Sequence, residues 1–90
     1  MADSVLDQGT VWWPEGLGKP ETVRFVFNVA LQTPPRQITC QDFETRDPID
    51  IELVELEESG SGQWLRHTAA SVRFVRAEQR GRSFRWRASG

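Results

Sequence analysis

Val23, Phe25, Phe27, Val29 and Leu31 alternate with Arg24, Val26, Asn28 and Ala30. An unbroken period of two, rich in β-branched and aromatic side chains, marks a strand with one face in a core, and it cannot be laid on the 3.6-residue stripe of a helix. The rest of the chain is cut into pieces of similar length. Thr10-Val11-Trp12-Trp13 is stopped by Pro14, and Pro14 to Pro20, with Gly16 and Gly18, has the composition of a loop. Pro34-Pro35 forces extended backbone at Thr33, Gln37 to Phe43 reads as another strand, and Asp47-Pro48 marks the next corner. The expected fold is all-β, an antiparallel six- to seven-stranded sandwich or small barrel built from hairpins. Residues 10–90 read as a single β domain, and residues 1–9 as a loose arm.

Two segments carry specific pairing expectations. In Ile49 to Glu58 the residues Ile49, Ile51 and Leu53 share a face, after which the apolar phase slips to Val54 and Leu56, as at a β-bulge. A helix capped by Asp47 with Pro48 at its first position is the competing reading, but Ile51 and Val54 would leave its stripe and Glu57 and Glu58 would oppose its dipole. Across the turn Ser59-Gly60-Ser61-Gly62, pairing of Glu58 with Gln63 would bring Leu56 to Leu65 and Glu55 to Arg66. From Val72 to Ala88, a three-residue loop Gln79-Arg80-Gly81 with a left-handed glycine would set Val72 against Ala88, Phe74 against Trp86 and Glu78 against Arg82. The alternative is an α+β fold with one helix within 63–80. Trp64, Thr68, Val72 and Val75 fall at helical spacing, and Gly81 would cap the helix.

Charge is segregated along the chain. Asp42 to Glu58 holds eight carboxylates and Arg46, a net −7; Trp64 to Arg87 holds seven arginines and Glu78, a net +6; the remainder contributes −1, for the total of −2. Either the two blocks cancel on neighbouring strands, or the basic block is held out for an anionic partner.

No catalytic or cofactor motif stands out. Gly16-Leu17-Gly18-Lys19-Pro20 lacks the first glycine and the hydroxyl of a phosphate loop. Ser59-Gly60-Ser61-Gly62 lacks the spacing of a nucleophile elbow. The carboxylates of Asp50-Ile51-Glu52 and Glu55-Leu56-Glu57 alternate with apolar residues, which is a wet strand face and not a calcium loop. Cys40, the single cysteine, shares a side with Ile38 and reads as a small buried hydrophobe. No catalytic residue, metal site or cofactor is expected. The acidic N-terminus is unlike a signal peptide and no apolar run reaches membrane length, so no membrane partner and a cytoplasmic location are expected.

These features suggest a non-enzymatic protein-interaction or structural module that binds a protein partner or itself, for instance as a subunit of a homo-oligomer or a phage-type particle. Its expected interaction surface is Trp12, Trp13, Arg73, Arg82, Arg85 and Arg87, with Glu52, Glu55 and Glu57 as an acidic face. One alternative is a small barrel that binds single-stranded nucleic acid through the C-terminal arginines interleaved with Phe74, Phe84 and Trp86. There, alternation places the three rings together on the face a core would claim. A third reading is a small enzyme using His67, the lone histidine.

Overall fold

The computed structural model of the protein describes residues 4–90. Seven strands follow one another: β1 (Val5–Val11), β2 (Thr22–Leu31), β3 (Gln37–Asp42), β4 (Pro48–Ile49), β5 (Ile51–Ser59), β6 (Arg66–Phe74) and β7 (Phe84–Ser89). They form two antiparallel sheets, a four-stranded one ordered β1-β7-β3-β4 and a three-stranded one ordered β2-β6-β5. The sheets pack face to face as a small sandwich. Among the described residues no helix is long and apolar enough to cross a membrane.

The core follows from alternation. Val23, Phe25 and Phe27 of β2, Ala70, Val72 and Phe74 of β6, and Phe84, Trp86 and Ala88 of β7 all point inward and are buried. Large rings fill the roughly 10 Å between sheets. The Phe25 ring stacks on Trp86 with centroids 4.6 Å apart, and Phe74 meets Phe84 edge-on at 5.2 Å. The indole of Trp86 also lies flat against β1, where a Cβ at Gly9 would stand 2.7 Å from its Cζ2. Glycine is therefore required at position 9 by close approach.

Two devices tie the sheets together at their margins. Asp50 alone separates β4, in one sheet, from β5, in the other, so the chain turns a corner there. The amide of Gln79, in a 3₁₀ turn over Ala77–Gln79, clamps this corner: it accepts from the Asp50 N–H (3.0 Å) and donates to the Pro48 carbonyl (3.1 Å). On the opposite side a register shift near Val5 accompanies the placement of Asp7 against β2, where its carboxylate accepts from the Asn28 N–H at 2.7 Å and from Asn28 Nδ2 at 3.2 Å. There β2 leaves the ladder, between the pairs Val26–Ala69 and Leu31–His67. Val29, expected inward by strict alternation, is accordingly 56% exposed.

Two carboxylates of the acidic segment, Glu52 and Glu57, are neutralised on the outer face of the three-stranded sheet. Arg73 sits opposite Glu52 in register and bonds both Glu52 (2.7 Å) and Glu21 (3.1 Å). Arg24 of β2 reaches Glu57 of β5, with Nη2 to Oε1 at 3.0 Å. Since β6 lies between them, this pair passes over the small residues Ala69 and Ser71, which are buried beneath it. The hydrogen bond and charge of Arg24 hold the Glu57 carboxyl below its ordinary range, and Glu57 raises Arg24 in return. Replacing Arg24 with alanine is expected to move the Glu57 titration midpoint upward, as read by carboxyl carbon NMR. An unchanged midpoint would show that the pair does not persist in solution.

Several expectations are corrected. The arm expected over residues 1–9 overlaps β1, which begins at Val5; Met1, Ala2 and Asp3 lie outside the described residues. The β5–β6 connection is longer than the Glu58–Gln63 pairing assumed. Gly60 and Gly62 take positive φ (86° and 57°) and a 3₁₀ turn spans Gly62–Trp64, so Ser59 pairs with Arg66, and Leu56 and Glu55 meet Ala70 and Ser71. The bulge near Val54 is present between Leu53 and Glu55, but Val54 itself is exposed and does not continue the apolar face. The hairpin over 72–88 does not form. β6 and β7 belong to different sheets, and Phe74 and Phe84 pack across the interior because their strands face each other instead of lying side by side. Glu78 lies in the Ala77–Gln79 turn. Gly81 does take the left-handed conformation, φ 77°, within this crossing loop. The helix alternative within 63–80 is absent, since β6 occupies Arg66–Phe74 and only short 3₁₀ turns lie on either side of it.

Candidate functional site

β7 is a central strand of the four-stranded sheet, and its odd-numbered positions face outward. Arg85 is flanked in register by Thr10 of β1 and Gln41 of β3, and Arg87 by Gln8 and Thr39. The outer face therefore carries two arginines bordered on both sides by neutral hydrogen-bonding side chains. An open groove of about 580 Å³ runs over it, with Arg46 at its β4 margin and no carboxylate among its lining residues.

One end of this face is aromatic. Trp12, just past β1, is 66% exposed and packs against Phe43, just past β3, with ring centroids 4.4 Å apart. The guanidinium carbon of Arg85 lies 4.8 Å from the centre of the Phe43 ring. That cation–π contact holds Arg85 flat on the sheet without neutralising it. Trp12, Phe43, Arg85 and Arg87 thus form a row along the sheet.

Arg46 is the one non-glycine residue described with positive φ, 65°. It closes the loop between β3 and β4: its N–H donates to the Asp42 carbonyl (3.0 Å) and its own carbonyl accepts from Gln41 Nε2 (2.8 Å). A left-handed conformation costs a residue with a Cβ about 1–2 kcal/mol. Glycine would be the residue of choice on stability grounds alone, yet the position holds an arginine at the edge of the groove.

The same loop is organised by Asp42, which is 6% exposed. Its Oδ1 accepts from the N–H groups of Glu44 (2.9 Å) and Thr45 (3.1 Å), and Oδ2 receives Arg82 at 3.4 Å. Burial alone would raise this carboxyl, but the Thr45 and Glu44 N–H groups and the Arg82 charge outweigh it and hold the group below its ordinary value of 3.8.

Of the residues expected to form one interaction surface, the structure brings together Trp12, Arg85 and Arg87. Arg82 is drawn to Asp42. Trp13 secures the Pro14–Pro20 loop, donating from Nε1 to the Gly18 carbonyl at 2.8 Å while its backbone N–H bonds Ser83 Oγ at 2.8 Å. Arg73 lies on the opposite sheet among Glu52, Glu55 and Glu57, so it does not share a face with Arg85 and Arg87 as expected. Phe74, Phe84 and Trp86, the rings interleaved with the arginines, are core residues.

Two members of the site escaped the sequence reading. Phe43 has the parity of Thr39 and Gln41 and so belongs to the outer face, a signal present in the alternation of Ile38, Cys40 and Asp42. Arg46 stands in sequence inside the acidic block, which masks its place beside the arginines of β7.

The other candidates are set apart. His67 is 5% exposed, and its Nδ1 has no hydrogen-bond partner, the nearest carboxylate oxygen, of Glu58, being 3.8 Å away. Cys40 is buried on the inner face with Ile38, and burial pushes its thiol up to about 12. Among the described residues no group of three His, Cys, Asp or Glu side chains converges as a metal-holding cluster. No protein-family model, no curated protein and no solved structure matches the chain.

Proposed function

We propose that the protein is a non-catalytic binding module that holds an anionic partner on the outer face of its four-stranded sheet. One observation carries this reading: among the described residues, the arginines of the C-terminal block are hydrogen-bonded or ion-paired within the chain, except those on that face. Arg66 donates to the carbonyls of Gln63 and Leu65, Arg73 bonds Glu52 and Glu21, Arg76 bonds Asp50, Arg80 donates to the Phe74 carbonyl, and Arg82 bonds Asp42. Among the described residues Arg85 and Arg87 pair with no carboxylate, and neither does Arg46. Cancellation between the two charge blocks thus accounts for the arginines over the three-stranded sheet and not for Arg85 and Arg87. Because Glu52 and Glu57 already hold arginines of their own chain, a second copy offers this face a weaker complement than a dedicated anion would. His67, on which the reading as a small enzyme rests, is buried in the three-stranded sheet and does not line the groove.

Inorganic polyphosphate is a partner-neutral probe of this reading. Titrated at low salt, it is expected to shift the amide and side-chain NMR signals of Thr39, Gln41, Arg46, Arg85 and Arg87 and to leave those of Arg24, Arg73 and the β5 glutamates in place. Arg46→Gly is expected to stabilise the fold by about 1 kcal/mol, through relief of the left-handed strain, while weakening polyphosphate binding. Shifts centred on the three-stranded sheet, or none at low salt, would remove the proposal.

A further inference from the structure

We infer that the anionic partner is single-stranded nucleic acid, lying along β7 with successive phosphates on Arg87 and Arg85, a third near Arg46, and a base stacked on Trp12. This rests on the anion-binding face proposed above and adds its occupant.

Three features select this partner over an acidic protein segment. Arg85 and Arg87 are two positions apart on one strand, so their Cα atoms are roughly 6.6 Å apart, a repeat similar to that of phosphates along an extended single strand. The row ends on an aromatic platform, Trp12 on Phe43, whose indole is 66% exposed. A basic track that leads to an exposed ring is the combination by which single strands are held without sequence readout, since every base has a face to stack. A string of carboxylates needs the charges but has no use for the ring. The flanks, finally, are Gln8, Thr10, Thr39 and Gln41. Each can donate and accept hydrogen bonds, which suits base edges and sugar hydroxyls; an acidic segment would be better met by further cations. β7 spans six residues, about 20 Å at 3.3 Å per residue, so the footprint is a few nucleotides.

The test uses the full chain and a fluorescently labelled ten-nucleotide homopolymer, as RNA and as DNA, read by anisotropy. Three phosphate contacts to a single strand give a logarithmic salt slope of about −2, so affinity is expected to fall roughly 20-fold from 50 to 200 mM salt. Arg85→Ala with Arg87→Ala should flatten that slope to about −0.7. Trp12→Ala should weaken binding roughly tenfold while leaving the slope unchanged, a separation that a general loss of structure would not produce. Phe43→Ala serves as a second probe of the platform, and circular dichroism confirms folding of each variant. The RNA and DNA arms report which sugar is preferred; tight binding of either supports the inference. If polyglutamate of matched charge binds as tightly as the oligonucleotide, or if Trp12→Ala has no effect on the latter, the nucleic-acid assignment falls while the anion-binding face stands. If neither polymer nor polyphosphate binds at low salt, both proposals fall.

Discussion

Trp86→Ala is expected to cost about 3–5 kcal/mol, read as a lowered midpoint of urea unfolding with little change in slope. A domain of 90 residues has a total stability of roughly 5–13 kcal/mol, so this one truncation should leave the fold close to its threshold. The size of the effect follows from the surroundings. The indole stacks on Phe25, tilts against Phe27 with centroids 5.6 Å apart, and covers Gly9. Its position is fixed from both sheets, and on the β1 side the neighbour has no side chain that could move into the cavity. The destabilisation should therefore lie toward the upper end of the range for large-to-small changes. Gly9→Ala presses on the same ring from the other direction and should also destabilise, by overpacking. A cost below about 1 kcal/mol for Trp86→Ala would mean that the two sheets can close over the gap, contrary to the packing described.

The second large effect concerns acid. The Asp42 carboxyl titrates below its ordinary value in the folded protein, owing to the Thr45 and Glu44 N–H groups and Arg82 acting against the burial that would raise it. A depressed carboxyl contributes stability that is fully present above the unfolded-state value, near 3.8, and is lost as pH falls through the folded-state value. Stability is thus expected to drop below about pH 4. Asp42→Asn keeps an acceptor for the turn but cannot titrate, and should flatten that part of the acid limb. Asp42→Ala removes the acceptor at every pH and should cost about 2 kcal/mol, because two N–H groups and Arg82 lose their partner together. Urea midpoints of the three proteins between pH 2 and pH 7 decide the matter; parallel curves for wild type and Asp42→Asn would show that other carboxylates carry the acid response.

Parity was legible in the sequence; partnership was not. Phe84, Trp86 and Ala88 point inward while Arg85 and Arg87 point outward, as alternation required, and the same holds for Val23, Phe25 and Phe27. Alternation is a property of one strand, however. It says which side chains face a core, but not whether the next strand lies beside it or across from it. For β6 and β7 that choice is made by the connecting loop, where the Ala77–Gln79 turn engages the Asp50 corner and carries the chain to the other sheet. Opposite charges do meet across β5 and β6, but through Glu52 and Arg73 and not through the expected Glu55 and Arg66, because the connection around Gly60 and Gly62 is longer than the shortest hairpin. Arg46 was hidden for a different reason: its left-handed backbone runs against residue preference, and no propensity would place an arginine there.

With Glu52 and Glu57 ion-paired and Glu55 beside them on one outer face, and Arg46, Arg85 and Arg87 without carboxylate partners among the described residues on the other, an almost neutral molecule carries an electric dipole moment between its two faces. A charged surface or polymer exerts a torque on such a particle before contact. Arrivals are therefore biased toward the basic side, and rotational search is shortened without any net attraction between the two bodies.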